Sequence, residues 1–180
     1  ESFLVALRSS GIEGFVVRTT PVFGGFDGML RKAEKGAVRY IGDGYAEVNP
    51  IHQADLAVAV ADALAANESE LDIGGPEVLY RRDIAEMALE AWDRKGPARS
   101  LRLPLAMLWG RLAFFRGRHN RYVSQYISAS ALIDTVGPER GTRTLEEYFA
   151  QRVAEFKVEA NEKPSTKWWQ RFIVLKRNGS

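Results

Sequence analysis

Residues 14–24 read Gly-Phe-Val-Val-Arg-Thr-Thr-Pro-Val-Phe-Gly. The first five of them are rich in apolar and β-branched side chains, which is typical of a buried strand in a parallel sheet. Thr19, Thr20 and Pro21 then end this strand. Helices and strands are predicted to alternate along the chain that follows, so we expect an α/β fold built on a parallel sheet.

The other predicted elements follow from hydrophobic periodicity and from turn residues. Helices are predicted at 1–10, 29–35, 55–66, 82–94, 104–115 and 144–156, the last with Thr144 and Glu147 as a capping box. Strands are predicted at 38–41, 45–49, 71–73 and 101–103. The tight turn Gly42-Asp43-Gly44 is expected to fold the strand at 45–49 back on the one at 38–41. Residues 124–133 fit either a helix or an extended segment.

The beginning of the sequence suggests a longer protein. Glu1 is not methionine, and Phe3, Leu4 and Leu7 already form one helical face. Two or three core strands are few for an independent doubly wound sheet. We therefore expect the sequence to be part of a larger chain.

Composition excludes several classes of function. The 180 residues are 46% hydrophobic and 27% charged, which is the balance of a folded domain rather than of a disordered or fibrous protein. No cysteine is present, so disulfides, thiolate metal sites and a thiol nucleophile are excluded, and a reducing, cytoplasmic location is expected. No apolar run is long enough to span a membrane, and the first residues lack the basic-then-apolar pattern of a signal peptide, so we expect neither a spanning helix nor an export signal.

Catalytic motifs of other classes are missing as well. His52 and His119 are the only histidines, which are too few for a multi-histidine centre, so no metal is expected. Neither a Gly-x-Ser-x-Gly elbow nor a Walker-type Gly-Lys-Ser/Thr occurs. The segment 23–28, Phe-Gly-Gly-Phe-Asp-Gly, has a bulky Phe23 where a dinucleotide loop needs its first glycine, so a loop after the strand is the favoured interpretation.

His52 and Asp55 lie at the start of the Ala-rich helix predicted at 55–66. A polar side chain at His52 either caps exposed backbone N–H groups or faces a ligand cleft, and the first role is favoured because helix starts need such partners. The favoured interpretation of Asp55 is an acid that complements the dipole at the start of the helix, and a catalytic carboxylate is the second interpretation.

Charge is uneven along the chain, although the formal net charge is only +2. Residues 157–180 contain six basic and two acidic residues, whereas residues 1–156 contain nineteen basic and twenty-one acidic ones. Within this tail, residues 167–177 read Lys-Trp-Trp-Gln-Arg-Phe-Ile-Val-Leu-Lys-Arg. This pattern is typical of a segment that lies peripherally on the inner face of an anionic membrane. It is equally typical of a segment that docks on its own domain or on a partner chain. Nucleic acid needs a broader basic face and is not an expected partner.

Six segments occur in an informative order: Phe15-Val-Val-Arg-Thr-Thr-Pro-Val-Phe-Gly24, Ile41-Gly-Asp-Gly44, Asn49-Pro-Ile-His-Gln-Ala-Asp-Leu-Ala57, Asp72-Ile-Gly-Gly-Pro-Glu77, Arg82-Asp-Ile-Ala-Glu86 and Gly141-Thr-Arg-Thr-Leu-Glu-Glu-Tyr-Phe149. In this order they resemble the C-terminal half of atypical and extended short-chain dehydrogenase/reductases. The sequence is most similar to the NmrA-like, NAD(P)H-binding branch, which includes epimerase-like proteins and an accessory subunit of respiratory complex I. The resemblance covers residues 1–156 and leaves 157–180 as a basic-aromatic tail.

The resemblance implies a fold and a set of site residues. Residues 1–156 would form the C-terminal part of a Rossmann-like doubly wound parallel sheet plus a small helical substrate-side subdomain. The family's dinucleotide loop and catalytic Tyr-x-x-x-Lys would precede Glu1, so no catalytic residue is assigned within this sequence. The implied NAD(P)-binding residues are Thr19, Thr20, Pro21 and Val22, and the implied substrate-binding residues are Phe23, Phe26, Met29 and His52. The apolar members of the second group favour an apolar small-molecule substrate.

Two functions follow from the resemblance. The first is the substrate-side portion of an NAD(P)-dependent oxidoreductase, inactive alone, in which the missing half supplies the proton donor for hydride transfer to a carbonyl or imine. The second is a non-enzymatic NAD(P)H-binding subunit that regulates or assembles a complex and attaches through its tail. Thr19 and Pro21 depart from the Arg-Pro-x-Asn pattern of the extended enzymes, which argues against sugar-nucleotide epimerase chemistry. The substrate, the choice between NAD and NADP, and the oligomeric state stay open.

Overall fold

The parallel pair that residues 14–24 predict is present in the computed structural model, which describes residues 2–11, 14–102, 104 and 132–162. Strand β1 (Val16–Thr19) pairs in parallel with β4 (Glu70–Ile73), with Thr19 opposite Ile73. Helix α3 (Gln53–Ala65) is the last element before β4 in the chain and packs on it. A strand, a helix and a parallel strand in this order make the fold α/β, as predicted.

The prediction that this first strand is buried is wrong in detail. Val16 and Val17 are half-buried, and Arg18 and Thr19 are exposed. Among the described residues, β1 has only β4 as a neighbouring strand. Arg18 therefore reaches across the surface of the pair, where its Nη1 lies 2.9 Å from Glu70 Oε2 and 3.1 Å from Asp72 Oδ1.

The remaining elements are short and surround a helical core. They are α1 (Ser2–Ser9), a 3₁₀ helix (Phe23–Phe26), α2 (Asp27–Ala33), β2 (Arg39–Ile41), β3 (Glu47–Val48), β5 (Leu79–Tyr80), α4 (Arg81–Glu90), β6 (Arg99–Leu101) and α5 (Leu145–Glu162). Helix α5 continues through residue 157, the predicted boundary between domain and tail. The predicted helix at 104–115, most of the segment at 124–133 and the tail segment at 167–177 lie outside the described residues.

The predicted pairing of the strands at 38–41 and 45–49 is wrong. Strand β2 pairs in parallel with β6, and β3 pairs antiparallel with β5. Gly42 and Gly44 do have positive φ angles of 77° and 80°, so a tight turn forms. Gly42 N nevertheless donates to Leu101 O at 3.1 Å, which holds the turn beside β6 and directs the following residues to a different strand.

The core lies between α2, α4 and α5. Leu30 and Ala33 of α2, Ile84 and Ala88 of α4, and Phe149 of α5 are all at most 1% exposed. The indole of Trp92, just after α4, donates from Nε1 to Leu30 O at 2.9 Å and so fixes α4 against α2. The burial of large apolar side chains here is the main stabilising term of the fold.

The start of α5 confirms the predicted capping box. Glu147 N donates to Thr144 Oγ1 at 3.3 Å, and Thr144 N donates to Glu147 Oε2 at 3.4 Å. These two bonds satisfy orphan donors at the first turn of the helix.

Two kinds of feature are absent from the described ranges. No helix in residues 2–11, 14–102, 104 and 132–162 is long and apolar enough to cross a membrane. The same residues contain no cluster of three or more His, Asp or Glu side chains suited to a metal ion.

Candidate functional site

The predicted cofactor segment, Thr19 to Val22, leaves the carboxyl end of β1. Thr20 is 5% exposed, and its hydroxyl donates to Asn49 O at 2.6 Å. Thr19 is exposed and its hydroxyl donates to Thr20 O at 3.0 Å, which leaves lone pairs on the hydroxyl oxygen for another donor. Thr20 therefore holds the segment in place, and Thr19 is the polar residue that it presents to the surface.

The segment after β1 lies alongside the segment after β3. Ile51 N donates to Pro21 O at 3.0 Å, and Phe23 N donates to Ile51 O at 3.0 Å. These two bonds form a short parallel bridge between Val22 and Ile51. The predicted cofactor residues and His52, the residue after Ile51, are thereby brought to one edge of the fold.

Asn49 fixes this edge to two further segments. Its buried amide donates from Nδ2 to Gly75 O at 3.1 Å and to Gly137 O at 2.8 Å, and its Oδ1 accepts from Gly137 N at 2.9 Å. Gly75 follows β4, and a Cβ at this position would lie 1.7 Å from Pro50 O. Only glycine allows the chain to approach Pro50 so closely.

His52 caps helix α3, which confirms the favoured interpretation of its position. Its Nδ1 accepts from Ala54 N at 3.1 Å, so the neutral ring carries its proton on Nε2. Burial and the Arg143 cation lower the pKa of His52, and the Asp55 carboxylate opposes this shift. Its ring packs edge-on against Phe23 and Tyr148, with centroid distances of 5.5 and 5.8 Å.

The aromatic residues predicted to bind substrate differ in exposure. Phe23 is 1% exposed and belongs to the core, where its ring lies 5.4 Å from that of Tyr148. Phe26 and Met29 are half-buried and pack against the same core. The prediction of a loop at 23–28 is wrong, because this segment forms the 3₁₀ helix and the first turn of α2.

A polar network lies behind these aromatic residues. Tyr148 of α5 donates from its hydroxyl to Asp27 Oδ1 at 2.8 Å, and Arg152 Nη2 lies 2.7 Å from Asp27 Oδ2. Burial, with help from the bonded Asp27 carboxylate, raises the pKa of Tyr148 to about 12. The same carboxylate raises the pKa of Arg152, which also pairs with Glu155. Tyr148 therefore keeps its proton at neutral pH.

Asp55 has the structural role that the sequence favours. Its side chain is 9% exposed, pairs with the guanidinium of Arg143 and accepts from Thr142 N at 3.2 Å and from Arg143 N at 3.3 Å. It thereby ties the first turn of α3 to the loop before α5.

Tyr148, Asp27 and Arg152 are absent from the predicted site. Their network joins residues 121 and 125 positions apart, a separation that no local pattern reveals. One signal was available: Tyr148 and Arg152 are four residues apart in a predicted helix and so share one face of it.

Comparison with known proteins bears on the fold. No family model matches the chain, and no curated protein matches it in sequence. Among solved structures, the chain is similar to one titled "Crystal structure of gox2253", with a TM-score of 0.56 and 19% sequence identity. The match covers 88% of this chain and 53% of that one, so the chain spans about half the length of this neighbour. At this identity the likeness shows a shared fold, which the paired strands and helices identify as α/β.

Proposed function

We propose that the chain is the substrate-side part of an NAD(P)-dependent oxidoreductase of the atypical short-chain dehydrogenase/reductase type. Its β1 and β4 would then belong to the C-terminal part of a Rossmann-like doubly wound sheet. One observation carries the proposal: Thr19 to Val22, Phe23 and His52 meet where β1 ends. In open α/β sheets, ligands bind outside the carboxyl ends of the parallel strands.

The residues at this edge fit one end of such a cofactor. Thr19 offers an exposed hydroxyl, and the half-buried Pro21 and Val22 offer apolar surface beside it. A flat, weakly polar ring such as nicotinamide suits this combination. When bound there, the cofactor would supply the hydride.

The roles of this chain's own residues are binding and shielding. Phe26 and Met29 present apolar surface that would exclude water from the reacting atoms. His52 keeps a neutral ring with its proton on Nε2, which can donate to a substrate oxygen. The proton donor for the chemical step is expected upstream of Glu1.

The alternative of a non-enzymatic NAD(P)H-binding subunit also has one specific observation in its favour. Tyr148, the tyrosine that packs on His52, has its pKa raised to about 12 and is bonded to Asp27. A phenol held in this way is a poor proton donor at neutral pH. If the upstream sequence also lacks a catalytic tyrosine and lysine, the binding role takes precedence.

The test compares the 180-residue chain with a version extended by its upstream coding sequence. We expect the extended protein to bind NADPH, followed by the cofactor's fluorescence, and to oxidise it with an apolar ketone. We expect no turnover by the 180-residue chain. NADPH oxidation by the shorter chain at the rate of the extended protein would overturn the proposal.

A pair of variants of the extended protein tests the location of the site. Thr19→Tyr places a bulky ring at the end of β1, and we expect it to weaken NADPH binding at least about tenfold. Thr142→Tyr makes the same change at another exposed threonine and should leave the affinity unchanged. Equal affinity of both variants and the parent would place the cofactor elsewhere.

A further inference from the structure

The small sheet built on β3 has an unusually apolar outer face. Val48 is fully buried, and Leu79 lies opposite it, so this pair faces the core. Because side chains alternate along a strand, Glu47 and Tyr80, the next pair in register, face outward. Residues 133–136 lie on the other side of β3, where Thr135 N donates to Glu47 O at 2.8 Å.

Six large apolar side chains are exposed on or beside this sheet, and together we name them the outer face. They are Tyr45, Val78, Tyr80, Leu132, Ile133 and Val136, with exposed fractions between 39% and 61%. Tyr45 and Tyr80 pack edge-on with ring centroids 5.8 Å apart, and Leu132 lies against Gly42. Exposed apolar side chains that are grouped around one small sheet mark a binding site more often than apolar side chains scattered singly over a surface.

Carboxylates border the outer face. Asp43, Glu47 and Asp134 lie along it, with Asp43 Oδ1 accepting from Tyr45 N and Asp134 Oδ1 accepting from Glu47 N. The Arg82 guanidinium lies 4.8 Å from the Tyr45 ring and is paired with Asp83. The outer face therefore favours a partner that is apolar and basic, and it disfavours a second copy of itself, since like charges would meet.

We infer that the outer face binds the basic-aromatic segment 167–177 of the same chain. This segment has four basic residues interleaved with two tryptophans and four further large apolar residues, and it has no acidic residue. Its composition complements an apolar surface with a carboxylate border. The inference is independent of the proposed oxidoreductase function.

The chain after α5 is long enough for the segment to reach the outer face. Near the end of α5, the Lys157 ammonium lies 5.6 Å from the Trp92 ring, just beyond α4. Helix α4 has ten residues, about 15 Å in length, and begins next to Tyr80 on the outer face. The fifteen residues 163–177 span up to about 50 Å when extended.

The absence of cysteine from the sequence allows a direct test by disulfide cross-linking. Ile133→Cys with Phe172→Cys places one thiol on the outer face and one in the segment. The matched control, Val58→Cys with Phe172→Cys, uses α3; Val58 and Ile133 are both 61% exposed. In dilute, oxidising solution we expect the first pair to close an intramolecular disulfide at least about tenfold faster than the control.

Ionic strength and two further variants test the contribution of charge to this binding. Closure of the first pair should slow in high salt, because screening weakens the attraction. Glu47→Gln should slow it as well, whereas Glu146→Gln, on the exposed surface of α5, should not. Circular dichroism confirms that each variant is folded.

Three outcomes would overturn the inference. Equal closure rates for the two cysteine pairs would show that the segment has no preferred location. Disulfide-linked dimers at high dilution would indicate that the outer face binds a second copy. Retention on phosphatidylserine vesicles, with no intramolecular disulfide in their absence, would assign the segment to a lipid surface.

Discussion

Asn49 is the residue on which most of the candidate site depends. One buried amide bonds the segment after β4, through Gly75, and the loop that contains Gly137, while its own backbone carbonyl accepts from Thr20. Its carbonyl and amide groups are thus fully engaged in joining three pieces of backbone. Asn49 acts as a positioning residue for the edge where the proposed ligands bind.

Replacing Asn49 with alanine should lower the free energy of unfolding by about 3 kcal/mol. The substitution removes three hydrogen bonds and leaves the buried carbonyl of Gly75 and the half-buried backbone groups of Gly137 without these partners. Urea denaturation measures the change. Asn161→Ala, at an exposed position near the end of α5, is the matched control and should change stability by less than about 0.5 kcal/mol. Equal effects would show that the amide has no special role.

Stability should also depend on pH through His52. Burial lowers its pKa from the ordinary value of about 6.5, so as pH falls through about 6.5 the unfolded chain takes up a proton first. The contribution of His52 to the free energy of unfolding is therefore complete above about pH 6.5 and decreases at lower pH. Protonation of Nδ1 also removes the bond to Ala54 N.

Two substitutions separate the effect of helix capping by His52 from the effect of its protonation. His52→Asn keeps a capping side chain and should remove the His52 part of the pH dependence between about pH 7.5 and 5.5. His52→Ala also loses the cap and should be less stable by about 1 kcal/mol at pH 7.5. Denaturation at both pH values is the measurement, and an unchanged pH slope in His52→Asn would contradict the assignment.

At the scale of elements, α5 is attached to α2 by charge as well as by apolar contact. Asp27 pairs with Arg152, and the guanidinium of Arg31 lies 3.8 Å from the centre of the Phe156 ring. The two helices have a second ion pair, between Arg31 and Glu159, but both of its side chains are about half exposed. The first pair is only 22% and 28% exposed, so water screens it less.

Loss of the two pairs should therefore have unequal effects. Asp27→Asn leaves Arg152 without its main counter-charge and Tyr148 with a weaker acceptor, and it should destabilise the fold by about 2 kcal/mol. Glu159→Gln should cost less than about 0.5 kcal/mol. Thermal or urea unfolding of both variants gives the comparison. Equal losses would mean that burial does not strengthen the Asp27 pair.

The same elements show what local sequence can specify. The helices at α1, α3, α4 and α5 follow from apolar periodicity and from caps such as Thr144, which act within a few residues. Partner choice between strands is not local, so the turn at Gly42 was predicted correctly and the partner of β2 was not. Sequence also suggested His52 as a cap, but it could not pair Asp27 with Arg152 across 125 positions.

At the scale of the whole molecule, the β1–β4 pair has an unpaired edge among the described residues. Val16 N donates to Ser69 O and Thr20 N donates to Ile73 O. Because donors alternate along a strand, the N–H groups of Val17 and Thr19 point to the other edge of β1. In the proposed oxidoreductase, an upstream strand would cover this edge.

Amide hydrogen exchange should detect that edge. In the 180-residue chain, we expect the amides of Val17 and Thr19 to exchange at least about a hundredfold faster than those of Phe149 and Val153 in the core of α5. In the extended protein the difference should shrink. Slow exchange at Val17 in the shorter chain, lost on dilution, would instead indicate that a second copy pairs with β1.

The amide of Asn49 also has a consequence for the order of events in folding. Its bonds to Gly137 close a loop of 88 residues, whereas the contacts within α3 or α5 join neighbours. Closing a long loop costs more chain entropy than forming a helix, so these bonds should form late, after the folding transition state. Disturbing Asn49 should then accelerate unfolding and leave the refolding rate almost unchanged. The edge that holds the candidate site would be the last part of the molecule to assemble and the first to open.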